Sequence, residues 1–436
     1  MQKYKIYRRV IMNTTKLLAL IKEGGLDERL ADVYGKENVN EQKKRYAEAV
    51  SEFLKLYGDI DASLFSVPGR SEISGNHTDH NHGCVLAGSI NLDIIAVAAK
   101  TEDGFIKIKS KGFPEDCVDI NTYTSPDEKL YFTSESLIAG MSKAFTDKGL
   151  ATGGYVAYTT SNVFKGSGLS SSAAFEVMVG NILNYFYNEG KVDNVEIAKM
   201  AQFAENKFFG KPCGLMDQMA CAVGGFVYIN FSDKEPFIKK IDFDMTGAGY
   251  ALCIVNTGGN HADLNEDYAS VPAEMKSVAR YYGHEYLAEM DRETLFSDIV
   301  NIRNKVGDRA VLRAAHFFDE NDRVEIQARA LELNDIEKFK EMVLASGRSS
   351  FTYLQNVYTT KNIKEQGLSL ALCITDATLR TSGAAWRVHG GGFAGTIQAF
   401  VPRIYVELYT KKIEKAFGEG ACHVLRIRPY GAIKVL

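Results

Sequence analysis

The sequence predicts a mixed α/β fold in two lobes. Its 436 residues exceed what one hydrophobic core usually covers, so two domains are expected. Residues 41–57 carry apolar side chains at helical spacing, whereas 153–160 has the pattern of a strand. Three successive strand patterns between 224 and 259 fit the junction of two α/β halves. We therefore place the domains at 1–240 and 241–436.

The elements around this junction alternate in type. Residues 116–123 have the pattern of a further strand in the first half. Residues 266–346 are mostly helical in pattern, and the last hundred residues return to α/β. No internal repeat or low-complexity tract interrupts the chain, so the boundary between the lobes is expected to be short.

Composition excludes several classes of function. Hydrophobic residues make up 45% and charged residues 24%, and the net charge is −4. This balance argues against a nucleic-acid partner or an anionic membrane surface and favours small-molecule chemistry. No apolar run approaches the roughly 20 residues that span a bilayer. The seven cysteines are scattered and form no CxxC pair, so we expect reduced thiols and a cytoplasmic protein.

Four polar side chains crowd the stretch GNHTDHNHG at residues 75–83: His77, Asp79, His80 and His82. Imidazole and carboxylate groups at this spacing are typical ligands of zinc or iron, so the stretch by itself allows a metal site. The alternative is another kind of site that needs several short polar side chains together.

A glycine- and serine-rich segment at 162–186, NVFKGSGLSSSAAFEVMVGNILNYF, leads directly into a helical pattern. Unpaired N–H groups and the positive end of a helix dipole favour a bound phosphate, and glycines let a backbone approach closely. A serine-capped helix after a flexible loop is the alternative. The segment is neither a Walker loop nor a dinucleotide-binding fingerprint.

Two further segments carry candidate functional groups. In AENKFFGKPCGLMDQMACAVGG (204–225), Asp217 lies among apolar residues at a helix start, as a cap or as a functional acid or base. In VHGGGFAGTIQAF (388–400), three adjacent glycines suggest a backbone that approaches a ligand or another segment closely, with a plain turn as the alternative.

Together, these segments resemble the motifs of galactokinases, members of a superfamily that includes homoserine, mevalonate and phosphomevalonate kinases. The family's PGRxNLIGEHTDYNxGxVLP is matched by PGRSEISGNHTDHNHGCVLAG, and its PxGxGLSSSAA by FKGSGLSSSAA. CGxMDQ is matched by CGLMDQ, and GGGFGG by GGGFAG. The resemblance implies a ribosomal-protein-S5-like N-terminal domain and a ferredoxin-like C-terminal domain, with the active site between them.

The resemblance also implies transfer of the γ-phosphoryl group of ATP to the anomeric hydroxyl of a sugar, with galactose as the leading substrate. Asp217 would accept the hydroxyl proton, and Arg70 would keep Asp217 ionised and offset transition-state charge. Mg²⁺ would be held by Glu205 with Ser171 or Ser172. The ATP phosphates would be wrapped by Gly166, Ser167, Gly168, Leu169, Ser170, Ser171, Ser172 and Ala173. The sugar would contact Asn76, His77, Asp79, Gly214 and Tyr268.

The chain departs from the family pattern at one substrate position. Asn76 replaces the glutamate of GEHTD, so a charged acceptor for the C6 hydroxyl is lost, which we expect to weaken galactose binding roughly tenfold. The same change removes a charge that would repel a C6 carboxylate. The alternative substrates are therefore galacturonate, arabinose or N-acetylgalactosamine. Polar SEIS at 71–74 replaces VNLI, for which the sequence offers no reason.

Two other function classes remain as alternatives. A non-catalytic sensor of sugar and ATP is disfavoured because GLSSSAA, Asp217, Arg70 and Glu205 are all intact. A kinase for mevalonate or homoserine is disfavoured by the HTD stretch and by CGLMDQ. Asp79 has the further alternative of capping a short turn.

Overall fold

The computed structural model describes residues 12–163, 169–259 and 264–436. Within these ranges the strands form two sheets. The strands are β1 (Met12–Asn13), β2 (Asp61–Ser74), β3 (Cys84–Lys100), β4 (Phe105–Ser110), β5 (Glu115–Asp119), β6 (Tyr155–Ser161), β7 (Phe226–Asn230), β8 (Phe237–Ile241), β9 (Tyr250–Asn256), β10 (Ala385–His389), β11 (Thr396–Pro402), β12 (Cys422–Leu425) and β13 (Ile433–Lys434).

Helices pack on both faces of the larger sheet and on both faces of the smaller. They are α1 (Thr14–Lys22), α2 (Asp27–Tyr34), α3 (Val39–Tyr57), α4 (Ser134–Asp147), α5 (Ser171–Tyr187), α6 (Asn194–Phe203), α7 (Met216–Val223), α8 (Asn265–Tyr281), α9 (Arg292–Ser297), α10 (Ile299–Val306), α11 (Asp308–Glu332), α12 (Ile336–Ser349), α13 (Gly367–Leu379) and α14 (Val406–Phe417). In the described ranges, no helix is long and apolar enough to cross a membrane.

The larger sheet is built around β3. This strand pairs with β2 on one side, and on the other side first with β7 and then with β6. The path β1-β2-β3-β6-β4-β5 is antiparallel except for the parallel pair β4 and β6. Helices pack on both faces, so almost every residue of CVLAGSINLDIIAVAAK is buried. A strand covered on both faces needs such a nearly continuous apolar sequence.

Each face of this sheet has its own hydrophobic core. On one face, helices α4 to α7 bury residues such as Phe145, Met178 and Met219 against the strands. On the other face, α1 to α3 bury Tyr46 and Phe53 among other side chains. Fully burying one such large side chain contributes about 1.5–3 kcal/mol. The predicted helix over 41–57 is confirmed as the main part of α3.

The smaller sheet has the order β10-β11-β9-β12 and is antiparallel throughout. With α13 and α14, its elements follow one another as βαββαβ, and α8 to α12 are inserted after the first strand. This is the expected ferredoxin-like arrangement. The change of sheet falls between β8 and β9, close to the division placed at 240 and 241.

The chain end ties the two lobes together. Strand β13 returns to the larger sheet and pairs with β2. Just before it, Arg428 pairs with the fully buried Asp93 at 3.0 Å, and Arg45 of α3 contacts the same carboxylate. A buried charge is tolerated when it is paired and hydrogen-bonded in this way. The second half of β2 also contacts β10 of the smaller sheet, so this strand lies where the two lobes meet.

Candidate active site

Asp217, Arg70 and Ser170 meet at the N-terminus of α5. Arg70 projects from β2 and donates from Nε to Asp217 Oδ1 at 2.7 Å. Ser170 donates from Oγ to Asp217 Oδ2 at 2.5 Å. Asp217 itself lies in the first turn of α7. The three side chains come from three elements that lie far apart in sequence.

The surroundings of Asp217 keep its carboxylate ionised. Burial opposes ionisation, but the charge and hydrogen bond of Arg70 and the hydrogen bond of Ser170 outweigh it and hold the pKa of Asp217 below its usual range. Arg70 is only 9% exposed, whereas the Asp217 side chain is 35% exposed. A reacting hydroxyl can therefore reach the carboxylate while the guanidinium stays fixed behind it.

The end of the glycine- and serine-rich loop is anchored to β2. The backbone N–H of Arg70 donates to the carbonyl of Leu169 at 3.2 Å. A Cβ on Gly69 would lie 2.8 Å from that same carbonyl oxygen, so only glycine allows this approach. Ser170 follows with a φ of 57°, and α5 begins at Ser171.

Of the residues predicted to wrap the ATP phosphates, Gly166, Ser167 and Gly168 lie outside the described residues. Leu169 and Ala173 are buried, whereas Ser170, Ser171 and Ser172 are partly exposed at the helix start. Ser170 uses its hydroxyl on Asp217 and does not cap α5 with its side chain. The first turn of α5 therefore offers the backbone N–H groups of a helix start together with two partly exposed serines.

The predicted metal ligand Glu205 lies in a π-helical turn after α6 and is 2% exposed. Its Oε1 accepts from Lys211 Nζ at 3.0 Å, and its Oε2 accepts from Gln218 Nε2 at 2.6 Å. The same amide nitrogen lies 3.3 Å from Oε2 of Glu176, which is fully buried on α5. Burial, together with the charge of Glu205, raises the pKa of Glu176 well above its usual range.

The glycine turn after β10 packs against two of the predicted sugar residues. His77 donates from Nε2 to the carbonyl of Gly391 at 2.9 Å, and Tyr268 donates from its hydroxyl to the carbonyl of Gly392 at 2.8 Å. A Cβ on Gly391 would lie 2.3 Å from the Tyr268 ring, and one on Gly392 would lie 2.0 Å from the carbonyl oxygen of Asn356. The close approach predicted for these glycines is therefore to other segments of the chain.

Burial shifts the titration of both aromatic groups beside this turn. It lowers the pKa of His77 to about 3, with His80 adding to the shift, so the ring is neutral near pH 7. Because Nε2 donates to a carbonyl, Nδ1 of the neutral ring is an acceptor, and it has no partner within the described residues. Burial also raises the pKa of Tyr268 to about 12.

Asp79 and Gly214 lie side by side. A Cβ on Gly214 would lie 3.1 Å from Asp79 Oδ2, so a side chain at 214 would crowd this carboxylate. Asp79 Oδ1 accepts from the backbone N–H of His80 at 3.0 Å, and among the described residues no side chain caps the short turn that begins at Asp79. The Asp79 side chain is 22% exposed, so Oδ2 remains near the open side of the site.

The histidines of GNHTDHNHG do not converge on one point. The His77 ring faces Gly391, and His82 stacks on Tyr286 at a centroid distance of 3.8 Å. His80 is exposed and lies 3.6 Å from Asp79. In the part of the chain that the structure describes, no group of three or more His, Cys, Asp or Glu side chains is placed to hold a metal ion.

Asn76 differs from its predicted role, because its side chain is enclosed by protein and is 0% exposed. Nδ2 donates to Glu72 Oε1 at 3.1 Å and to the carbonyl of Gly390 at 2.6 Å. Oδ1 accepts from Asn356 Nδ2 at 2.6 Å. The amide joins β2 to the glycine turn and presents no open atom to a sugar. The expectation that asparagine at position 76 leaves the site without a negative charge assumed that no other carboxylate lies nearby. Glu72, however, lies beside Asn76.

The polar SEIS segment is explained by contacts that cross between the lobes. Ser71 Oγ lies 3.1 Å from His389 Nε2, and Ser74 Oγ donates to the buried Glu320 at 2.9 Å. Glu72 lies 3.4 Å from Arg387. Buried polar groups need such partners, and the partners come from β10 and α11.

Sequence reasoning missed Glu72, Glu176, Lys211, Gln218 and Asn356 as parts of this site. A single glutamate in the otherwise apolar run AAFEVMV was a usable signal for Glu176, because carboxylates are almost never fully buried without a partner. The other four carry no local signal, since their importance depends on which segments meet in the folded chain.

Comparisons with known proteins agree with this geometry. Residues 136–225 match the family described as "GHMP kinases N terminal domain", and residues 51–100 match the "Galactokinase galactose-binding signature". The galactokinase of Clostridium tetani is 29% identical over 88% of this chain and 93% of its own. The galactokinase of Streptomyces coelicolor is 28% identical over 86% of this chain and 94% of its own.

Solved structures share the fold. The Lactococcus lactis galactokinase complexed with galactose matches with a TM-score of 0.72 at 24% identity, covering 88% of this chain and 98% of the other. The mevalonate kinase of Methanococcus jannaschii matches with a TM-score of 0.58 at 14% identity, covering 84% of this chain and 98% of the other. The predicted two-domain α/β fold class is thus confirmed. The galactose-binding signature covers β2, which carries Arg70, and the GHMP kinase match covers α7, which carries Asp217. Over most of its length the chain is similar to galactokinases.

Proposed function

We propose that the protein is an ATP-dependent sugar 1-kinase that converts ATP and galactose to ADP and galactose 1-phosphate. The observation that carries this proposal is the contact of Asp217 with Arg70 and Ser170 at the start of α5. Phosphoryl transfer to a hydroxyl needs a group that orients the proton, a cation and a phosphate-binding helix end in one place. The names of the relatives and the galactose-binding signature support galactose as the acceptor.

Asp217 would orient the C1 hydroxyl of the sugar and take its proton. Each of its oxygens accepts one hydrogen bond, so each keeps a lone pair for the incoming hydroxyl. A carboxylate with a lowered pKa is a weak base, but a loose transition state demands positioning more than basicity. Arg70 would remain in place and offset the negative charge that gathers on the transferring phosphoryl group.

The residues around Glu205 fit Mg²⁺ as the accompanying ion. Glu205 is a nearly buried carboxylate that already has a cationic partner, Lys211, and the exposed hydroxyls of Ser171 and Ser172 supply further hard oxygen donors. Glu205 with Ser171 or Ser172 would hold the ion. When bound, Mg²⁺ would supply positive charge that offsets the charge of the phosphates.

The alternative substrates are less favoured than galactose. Their case depended on the loss of a carboxylate at position 76, whereas Glu72 keeps a carboxylate 3.1 Å from the Asn76 amide. A negative charge in this part of the site would repel the C6 carboxylate of galacturonate.

We also propose that the protein works in the cytoplasm. The substrates would be small molecules, a sugar and ATP. Its cysteines are free thiols, which favours a reducing compartment that also supplies ATP.

The test is coupled ADP release from ATP and Mg²⁺ with galactose, galacturonate, N-acetylgalactosamine, arabinose and glucose. We expect the fastest turnover with galactose. Asp217→Asn should bind ATP normally and lose activity by at least about a thousandfold. Preference for another sugar would refute galactose as the substrate. No turnover with any sugar, with ATP still bound, would refute the kinase proposal and favour a sensor.

A further inference from the structure

Glu72 lies on the same face of β2 as Arg70. Residues Arg70 to Glu72 pair with β3 in unbroken register, opposite Ser89 to Ala87, so alternate side chains share a face. With a rise of about 3.3 Å per residue, the two side chains leave the strand about 7 Å apart. This separation is comparable with the distance across one hexose from its anomeric hydroxyl to its C6 hydroxyl.

Among the described residues, the contacts of Glu72 to the protein are made by one carboxylate oxygen. Oε1 accepts from Asn76 Nδ2 at 3.1 Å and lies 3.4 Å from Arg387 Nη2. Within the described residues Oε2 accepts no hydrogen bond, yet it is not an enclosed orphan, since 10% of the side chain is exposed. Glu72 therefore has a carboxylate oxygen free to accept a hydrogen bond from a ligand.

Glu72 lies near other candidate residues of the site. Besides Arg387, its charged neighbours are Arg70 and Asp79. Asn76, by contrast, has no exposed atom and holds the glycine turn. Compared with the motif PGRxNLIGEHTD, the amide and the carboxylate have exchanged places between positions 72 and 76.

We propose that Glu72, and not Asn76, determines sugar specificity by accepting a hydrogen bond from the hydroxyl at the end of the hexose opposite the reacting one. The inference rests on the proposed function and deepens it. It names the substrate class as a neutral hexose with a free C6 hydroxyl. A sugar without that hydroxyl loses the hydrogen bond, and a sugar with a C6 carboxylate is repelled.

The test is isothermal titration of D-galactose and 6-deoxy-D-galactose into the wild type and into Glu72→Gln, without ATP. Glutamine keeps the shape of the side chain and an acceptor oxygen but removes the charge. We expect the Kd of galactose to rise about tenfold in Glu72→Gln, because hydrogen bonds to charged groups are stronger than neutral ones. The Kd of 6-deoxygalactose should stay within about twofold, since it makes no such bond.

Asn356→Ala is the matched control, because it removes a hydrogen-bond partner of Asn76 next to the glycine turn and leaves Glu72 unchanged. This variant should raise the Kd of galactose and of 6-deoxygalactose by the same factor. Equal weakening of both sugars in Glu72→Gln, or no weakening, would overturn the proposal and give Glu72 a merely structural role. A wild type that binds neither sugar would overturn it as well.

Should Glu72→Gln fail to fold, the wild type alone remains decisive. Galacturonate and 6-deoxygalactose should each bind at least about tenfold more weakly than galactose, and galacturonate binding as tightly as galactose would overturn the proposal. Because binding is measured without ATP, a wild type that binds galactose but releases no ADP would refute the kinase function and leave the role of Glu72 standing.

Discussion

Replacing Arg70 by methionine should change both the stability of the protein and the pH dependence of its activity. The guanidinium is nearly buried and lies 2.7 Å from Asp217, and removing one partner of a fully buried pair costs about 3–5 kcal/mol. Solvent reaches 35% of the Asp217 side chain and screens its charge, so we expect a loss of about 1–2 kcal/mol at pH 7. We expect kcat to fall about 100- to 1000-fold, as when one donor to a charged transition state is removed.

The sign of the pH effect follows from the pKa of Asp217. In the wild type this pKa lies below its value in the unfolded chain, so the pair stabilises the fold above about pH 4 and the contribution is lost as pH falls through the folded pKa. Without Arg70, the burial of Asp217 becomes the dominant influence and raises the pKa of its carboxyl group. The acidic limb of kcat/KM should therefore move to higher pH in Arg70→Met.

Urea unfolding at pH 7 and pH 4, with pH–rate profiles, would measure both effects. Arg45→Met is the control, because Arg45 contacts the buried Asp93 of β3 and not Asp217. This variant should cost stability without moving the acidic limb. If the acidic limb of Arg70→Met coincides with that of the wild type, Arg70 does not govern the ionisation of the catalytic carboxylate and the reasoning fails.

Three further changes test other parts of the site. Gly391→Ala should lower kcat/KM and the melting temperature, because its Cβ would lie 2.3 Å from Tyr268. The double variant with Tyr268→Ala should recover stability but not sugar binding. A Gly391→Ala variant that melts at the wild-type temperature would contradict this packing. Lys211→Met should cost about 1–3 kcal/mol of stability, because the half-exposed lysine is the cationic partner of the nearly buried Glu205. Because Lys211 no longer pairs with Glu205, adding Mg²⁺ and ATP should raise the melting temperature of this variant by more than it raises that of the wild type. An equal shift for both proteins in a thermal shift assay would argue against Glu205 as a metal ligand. Glu176→Gln should be close to the wild type in stability at pH 4 and more stable than the wild type at pH 8. A carboxyl with a raised pKa favours the fold at low pH and opposes it as pH rises above its unfolded value, so parallel stability curves would show that Glu176 is not held neutral.

Local patterns in the chain were sufficient for the mixed α/β class and for several individual elements. Helical spacing predicted α3, and alternating apolar residues predicted β6 and the strands β7 to β9 at the change of sheet. The motifs that resemble galactokinases pointed to Asp217 and Arg70, which the fold then brings within hydrogen-bonding distance although 147 positions separate them. These features are available from sequence because secondary structure depends on periodic burial and because motif residues keep their order along the chain.

Only the tertiary structure decided which polar side chain meets which partner. By sequence, Asn76 was a sugar contact and Glu72 had no explanation, yet Asn76 donates to the carbonyl of Gly390, 314 positions away, while Glu72 keeps a free oxygen. The three glycines at 390–392 were compatible with a ligand, but their backbone approaches Tyr268 and Asn356 instead. The physical reason is that a buried polar group takes the partner that the packing of distant elements places beside it, and no local pattern contains that information.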